Sequence, residues 1–200
     1  MLTKIKRKDC LEKYSCFPTA NNYRNVFFHP EVAHGYVVTV GSKTIRGHLT
    51  ELINEIILFL KAQGSSKLVF LGDTTMPWLK QANDYRPAKE ALQFLKDNKI
   101  GKTFNGGIEV GVDAVPVFLK HLYWISRCNA AFPLVHFIDQ HQKFLGHICQ
   151  YGFFHLDIID DEDERIAAFM SRSHFLSIGK ERCYNQFSVT SAIKMRQTIA

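Results

Sequence analysis

The amino-acid sequence predicts a single α+β domain in which helices pack on a mixed sheet of about six to eight strands. The 200 residues fit one large domain, and a chain of this size buries roughly 70% of its unfolded surface without a metal or a disulfide. Short extended runs alternate with segments of helical periodicity. A final series of extended runs at 133–160, separated by short turns, is typical of a C-terminal antiparallel meander.

Charge divides the chain into a central domain and two basic ends. We predict a basic arm or short first helix at 1–24, the α+β domain at 25–178, and a basic tail at 179–200 that packs on the domain or extends from it. The net charge is +6, and an acidic stretch at 157–164 lies between the two ends. Such ends are typical of solvated tails, and they also fit an electrostatic footprint for nucleic acid or an acidic protein.

The first half of the chain predicts strands around one strong helix. Apolar residues of this helix recur at three-and-four spacing, which indicates one buried face. Thr44 is a candidate N-cap, and Gly64 follows where a left-handed stop belongs. The predicted elements are strands at 24–29, 36–40 and 68–71 and a helix at 44–62.

The second half predicts two more helices and then the antiparallel segment. Pro87 and Pro116 are compatible with helices because each lies within a first turn. The turns after residue 133 are short, so neighbouring runs are expected to pair as hairpins. The predicted elements are helices at 86–99 and 113–128, a strand or turn at 106–111, strands at 134–138, 144–150 and 153–159, and a fourth helix capped by Asp160.

The cysteines and the apolar stretches predict the compartment. Five cysteines are scattered along the chain without a C-x-x-C pair, so neither a disulfide framework nor a structural zinc knuckle is expected. The basic N-terminus lacks the apolar run of a secretory signal, and the longest apolar stretch, 52–60, is too short to cross a bilayer. These features predict a reducing, cytoplasmic location and no membrane partner.

The segment 41–44, Gly-Ser-Lys-Thr, joins a strand to a helix, which is where a phosphate loop would lie. It lacks the glycine before Lys43 and the earlier glycine that allow successive backbone N–H groups to wrap a phosphate. A nucleoside triphosphatase of this type is therefore excluded.

Three residues outside the antiparallel segment are candidate binding residues. Asp73 follows a buried strand, at the strand end where open α/β sheets place ligands. Trp78 lies in the loop 74–85, which is long enough to act as a lid or a recognition loop. Glu109 is the only acid of its extended run and alternates to the face opposite its apolar neighbours.

Strand alternation within 133–160 collects polar side chains on one face. His147 and Cys149 share a face of one run, and His155 and Asp157 share a face of the next. If the hairpin register aligns these faces, the four side chains converge as competent ligands for zinc or another late first-row metal, or as a histidine–aspartate pair for proton transfer. Alternate polar residues are also what any half-exposed sheet shows. A solvent-facing sheet is the first interpretation, a surface for a macromolecule the second, and metal binding or catalysis the third.

No catalytic constellation can be named, and no cofactor or metal is predicted. The favoured function is a cytosolic protein-binding module of immunity, antitoxin or regulatory type, with a protein partner. The first alternative is a protein that binds or processes nucleic acid through its basic termini. The second is a small hydrolase or transferase that uses Asp73, Glu109 or the pair His147 and His155. The balance leans away from an enzyme.

Overall fold

The computed structural model describes residues 2–21, 26–130, 132–159, 164–178 and 183–187. The strands are β1 (Leu2–Ile5), β2 (Thr19–Asn21), β3 (Val26–Phe28), β4 (His34–Thr39), β5 (Lys67–Gly72), β6 (Gly107–Gly111), β7 (Val135–Asp139), β8 (Phe144–Ile148), β9 (Phe154–Ile158) and β10 (Leu176–Ser177). The helices are α1 (Arg7–Lys13), α2 (Ile45–Ala62), α3 (Arg86–Asp97), α4 (Val115–Cys128) and α5 (Glu164–Met170), with a 3₁₀ turn at Val112–Ala114 before α4.

One large sheet organises the fold. Its eight strands lie in the order β1-β6-β5-β7-β8-β9-β4-β10, and every pairing in it is antiparallel. The strands β2 and β3 form a separate antiparallel pair. The predicted α+β class and the meander β7-β8-β9 are therefore confirmed, and the pairing is antiparallel where the sequence allowed a mixed sheet.

The helices α2, α3, α4 and α5 form one layer on this sheet and bury the main hydrophobic core against it. The helix α2 begins after Thr44, whose Oγ1 accepts a hydrogen bond from the backbone N–H of Gly47 at 3.1 Å, as the predicted N-cap requires. Its apolar stripe, which includes Leu52, Ile56 and Phe59, is fully buried. None of the described helices is long and apolar enough to cross a membrane.

A glycine in β8 makes room for the aromatic centre of this core. Phe137 and Phe154 lie on the strands to either side of Gly146, and their rings stack with centroids 5.9 Å apart and planes 11° from parallel. A Cβ on Gly146 would lie 2.6 Å from the Phe137 ring and 2.9 Å from the Phe154 ring. The close approach of the two rings therefore requires glycine at this position.

The opposite face of the sheet carries a second, smaller core under α1. Cys10, Tyr14 and Phe17 are buried there against Val69 and Leu71 of β5 and against residues of β7 and β8. Within the segment 1–24, predicted as an arm or short first helix, residues 2–13 form β1 and α1. The edge of β6 offers unpaired backbone groups to β1, and the sheet offers apolar surface to α1.

The predicted C-terminal tail is described in part. Residues 183–187 run along the domain, where Gln186 Nε2 donates a hydrogen bond to Thr39 Oγ1 at 3.3 Å. Residues 179–182 and 188–200 of the predicted tail lie outside the described residues, as does the predicted helix cap at Asp160.

Candidate metal centre

The strand register brings three histidines into one row across the second face of the sheet. His147 of β8 pairs with His155 of β9 on one side and with His136 of β7 on the other. The rings of His147 and His155 stack with centroids 4.2 Å apart and planes 10° from parallel. The ring of His136 meets His147 edge-on at 4.9 Å. From the sequence, the convergence of the polar faces depended on an unknown hairpin register. The observed register does bring these faces together.

A tight turn between β8 and β9 sets this register. The backbone N–H of Gly152 donates to the carbonyl oxygen of Cys149 at 2.9 Å, and the N–H of Cys149 donates to the carbonyl oxygen of Phe153 at 3.0 Å. Gly152 has φ +87°, in the left-handed region that favours glycine. Its carbonyl oxygen lies 2.8 Å from Nε2 of the buried His48, which ties the turn to α2.

Substitution of Gly152 by alanine is expected to lower the free energy of unfolding by about 1–2 kcal/mol. An alanine at this position would have to adopt the left-handed φ that disfavours a side chain. Its Cβ would also lie 3.0 Å from His48 Nε2. Urea denaturation followed by tryptophan fluorescence measures the loss. Gly101→Ala is the matched control, because a Cβ there meets nothing within 4 Å. Equal stability changes in the two variants would contradict the role of the turn.

A cysteine from the C-terminal segment completes a cluster of metal-binding donors. Cys183 Sγ lies 3.2 Å from His155 Nε2, and Cys149 lies beside both. One donor atom from each of Cys149, His155 and Cys183 lies within 4.8 Å of the others. All three side chains are partly buried, and the five cysteines are free. The predicted residues Cys149 and His155 thus share a site with a residue that was not predicted.

Burial holds the histidine row in the neutral form. It lowers the pKa of His136 to about 3, with His29 and His155 adding repulsion. It also lowers the pKa of His147 well below its ordinary value and lowers the pKa of His155. Neutral imidazole is the form that binds a metal ion. The row therefore presents nitrogen lone pairs rather than positive charge at neutral pH.

Cys183, at the cysteine end of the row, is also uncharged in the metal-free protein. Burial raises the pKa of Cys183 to about 12, and the neighbouring Cys149 adds to this effect. The Cys183 side chain is therefore a thiol at neutral pH and needs a nearby cation to become a thiolate.

Asp157 lies beside the row, two residues along β9 from His155 and on the side away from the cysteines. It lies on β9 opposite Leu145 of β8 and Gly35 of β4, and its Oδ2 is 3.6 Å from Nε2 of His29. Burial raises the pKa of this carboxyl group, and His29 partly offsets the shift. Because residues two apart on a strand are separated by roughly 6.5 Å, Asp157 shares the face of His155 without joining its donor cluster.

The other predicted site residues lie elsewhere. Trp78 is a core residue: its ring packs against Phe118 and Phe132, and its Nε1–H donates to the carbonyl oxygen of Gly106 at 2.9 Å. The indole is therefore buried in the core, and the role of the loop 74–85 as a lid or recognition loop stays a prediction. The physical reason for the burial is that the indole finds both an apolar cavity and a carbonyl acceptor inside the fold.

Asp73 and Glu109 are likewise separate from the cluster. Glu109 forms an ion pair with Lys67 Nζ at 2.8 Å on the neighbouring strand β5. Burial raises the pKa of Asp73, and Arg7 Nη2 donates to the Asp73 carbonyl oxygen at 3.4 Å. In the strand order, β5, β7 and β8 separate β6 from β9, so Glu109 lies far from His155 and the donor cluster.

The face is also less open than the first interpretation of the sequence allowed. His147, His155 and Asp157 are partly buried, and His136 is buried with a relative exposure of 2%. Three ring nitrogens lack a hydrogen-bond partner among the described residues: both nitrogens of His136 and Nδ1 of His147. A plain solvent-facing sheet does not account for this cluster.

Comparison with known proteins finds no protein-family model, no curated protein and no solved structure that matches the chain. The chemistry of the site is therefore argued from its donors. Two cysteine sulfurs and one imidazole nitrogen form a donor set that suits Zn²⁺ or Cu(I), whereas Ca²⁺ and Mg²⁺ prefer oxygen.

Proposed function

We propose that the protein binds one zinc ion through Sγ of Cys149, Sγ of Cys183 and Nε2 of His155, and that metal binding is part of its function. The observation that carries the proposal is the convergence of these donors from a strand end, a neighbouring strand and a distant C-terminal segment. Donor atoms in a tetrahedral zinc site lie about 3.5 Å apart, given Zn–S and Zn–N bonds of about 2.3 and 2.0 Å. Donors already within 4.8 Å need only small rotations to reach that spacing.

Charge and proximity support a metal ion at this place. Cys183 Sγ lies 3.2 Å from His155 Nε2, and Cys149 lies beside both, so the three donors already face one another. Zinc converts both thiols to thiolates, so the 2+ charge of the ion is balanced by two negative sulfurs. The proposal replaces the expectation that the chain holds no metal. It also implies a reducing compartment, because both sulfurs must be free to ligate.

The functions favoured from the sequence stay predictions beside this one. The protein-binding module has no specific contact among the described residues to support it. Nucleic-acid binding rested on the basic ends, and two of the N-terminal basic residues serve the fold. Lys4 Nζ donates to the carbonyl oxygen of Lys99 at 3.0 Å, and Arg7 Nη1 donates to that of Gly72 at 2.9 Å.

Zinc binding is tested on untagged protein purified under reductant. We expect about one zinc ion per chain by elemental analysis. The variants Cys149→Ser, Cys183→Ser and His155→Gln are each expected to lower the zinc affinity at least about 100-fold, measured by chelator competition. Cys16→Ser and Cys128→Ser are the matched controls, since both cysteines are partly buried and lie outside the cluster.

Two results would overturn the proposal. One is wild-type protein that binds zinc no more tightly than the Cys149→Ser/Cys183→Ser double variant. The other is a loss of affinity in Cys16→Ser or Cys128→Ser as large as that in the cluster variants, because binding would then come from scattered thiols.

A further inference from the structure

A cavity of about 310 Å³ opens directly onto the donor cluster. Its walls include all three proposed zinc ligands and the neighbouring imidazole of His147. The remaining walls come from the C-terminal end of α4, the segment after it and the turn between β8 and β9; Ser126, Asn129, Phe132 and Tyr151 are among them. The cluster is therefore reached from a cavity rather than enclosed by the core.

The number of donors leaves one zinc position unfilled. Among the described residues, no fourth cysteine, histidine or carboxylate joins the group within 4.8 Å. The stacked ring of His147 lies parallel to that of His155, so its lone pairs do not point to the same centre. Structural zinc sites have four protein ligands, whereas sites that exchange ligands or catalyse reactions have three and keep one position for water or substrate.

We infer that the fourth zinc position is open to this cavity, and that the cavity admits a small, uncharged ligand with a nitrogen or carbonyl-oxygen donor. This inference rests on the proposed zinc site and names the ligand class of that site. An exchangeable position on zinc polarises a carbonyl group or lowers the pKa of bound water to about 7, which is the chemistry of hydrolytic sites.

Electrostatics set the preference for an uncharged ligand. Two thiolates balance the charge of Zn²⁺. None of the described residues that line the cavity is an aspartate, glutamate, lysine or arginine. An anion therefore loses its hydration without gaining a counter-charge.

Size and unpartnered polar atoms define the ligand further. The cavity volume is at the lower end of the range for small-molecule sites, which restricts the ligand to about the size of a single substituted ring. The buried Nδ1 of His147 has no hydrogen-bond partner among the described residues. Apolar walls such as Phe132 and Ile148 bind the body of the ligand, while its donor atom faces the metal.

Cobalt substitution tests the inference, because Co²⁺ replaces Zn²⁺ and its visible absorption reports changes in ligation. We expect imidazole, titrated at pH 8 where it is uncharged, to shift the cobalt spectrum saturably. Azide, a small anion, is expected to bind at least tenfold more weakly. Ser126→Phe, which adds a ring to the cavity wall, is expected to lower the affinity for imidazole at least tenfold, while the affinity for cobalt stays unchanged. Val117→Phe, on the same helix but outside this cavity, is the matched control.

The outcomes separate this inference from the zinc site itself. Cobalt that binds stoichiometrically but whose spectrum does not respond to imidazole would overturn the open position and leave the zinc site standing. Azide that binds as tightly as imidazole would overturn the uncharged ligand class. Failure of the chain to bind zinc or cobalt is seen in the metal titration, before any ligand is added, and would overturn both proposals.

Discussion

Replacement of Phe154 by alanine is expected to lower the free energy of unfolding by about 3–5 kcal/mol. The side chain is fully buried at the centre of the core. Its ring stacks on Phe137 and contacts Phe175 at 5.8 Å and Phe59 at 6.5 Å between centroids. Alanine would leave a cavity among three rings, which come from β7, from α2 and from the segment between α5 and β10. Urea denaturation measured by circular dichroism gives the loss.

Two further variants make this prediction specific. Phe28→Ala is the matched control, because Phe28 is 48% exposed, and it is expected to change stability by less than about 1 kcal/mol. Phe154→Leu keeps most of the volume and is expected to leave zinc affinity unchanged, because alternation along β9 turns Phe154 and His155 to opposite faces. A loss below 1 kcal/mol in Phe154→Ala would contradict the central place of this ring.

Local patterns predicted the parts of the fold that depend on neighbouring residues. The cap at Thr44 and the buried stripe of α2 follow from spacing within one helix, and both are present. The alternation of His147 against Ile148 and of His155 against Phe154 likewise follows from strand geometry alone. The short turn at Gly152 then left few registers open, and the structure adopts the one that aligns the polar faces.

Long-range contacts explain what the sequence did not predict. Cys183 comes to His155 through a segment whose path no local pattern determines. The strand β1 pairs with β6, which lies far from it in sequence. The sequence of β1 alone therefore does not distinguish an edge strand from a solvated arm. Trp78 gave no sign of burial, because its cavity is built by Phe118 and Phe132 from other parts of the fold.

His136 is the omission that alternation could have found. Val135 and Phe137 are apolar and point to the helical core, which leaves His136 and Ile138 on the other face. Because β7 and β8 are adjacent in the meander, any register that keeps the apolar faces together puts His136 on the same face as His147. The histidine row is therefore a property of three strands, and its buried end lies at His136.

This buried end makes the stability of the protein sensitive to acid. The pKa of His136 is about 3 in the folded chain and has an ordinary value of 6.5 in the unfolded chain. Above pH 6.5 both states are neutral at this residue and its contribution is zero. Below pH 6.5 the unfolded chain binds a proton that the folded chain excludes, so the free energy of unfolding falls as the pH falls, until about pH 3.

The size of the effect follows from the shift. A single group of this kind lowers the free energy of unfolding by up to about 1.4 kcal/mol for each pH unit inside the window, or about 2–3 kcal/mol between pH 6.5 and 4.5. The groups that act on His136 reinforce this direction. His147 is in ring contact with it, and His29 and His155 repel a proton placed on it.

His136→Leu is therefore expected to remove about 2–3 kcal/mol of acid destabilisation between pH 6.5 and 4.5, while at pH 7.5 its stability stays within about 1 kcal/mol of the wild-type value. Urea denaturation of metal-free protein at several pH values in this range measures both quantities. His141→Leu, at an exposed turn position, is the matched control and is expected to keep the wild-type pH dependence. If His136→Leu and the wild-type protein lost stability in parallel on acidification, the imidazole at 136 would have to accept its proton inside the fold. That result would contradict the low pKa that burial gives His136 in the folded chain.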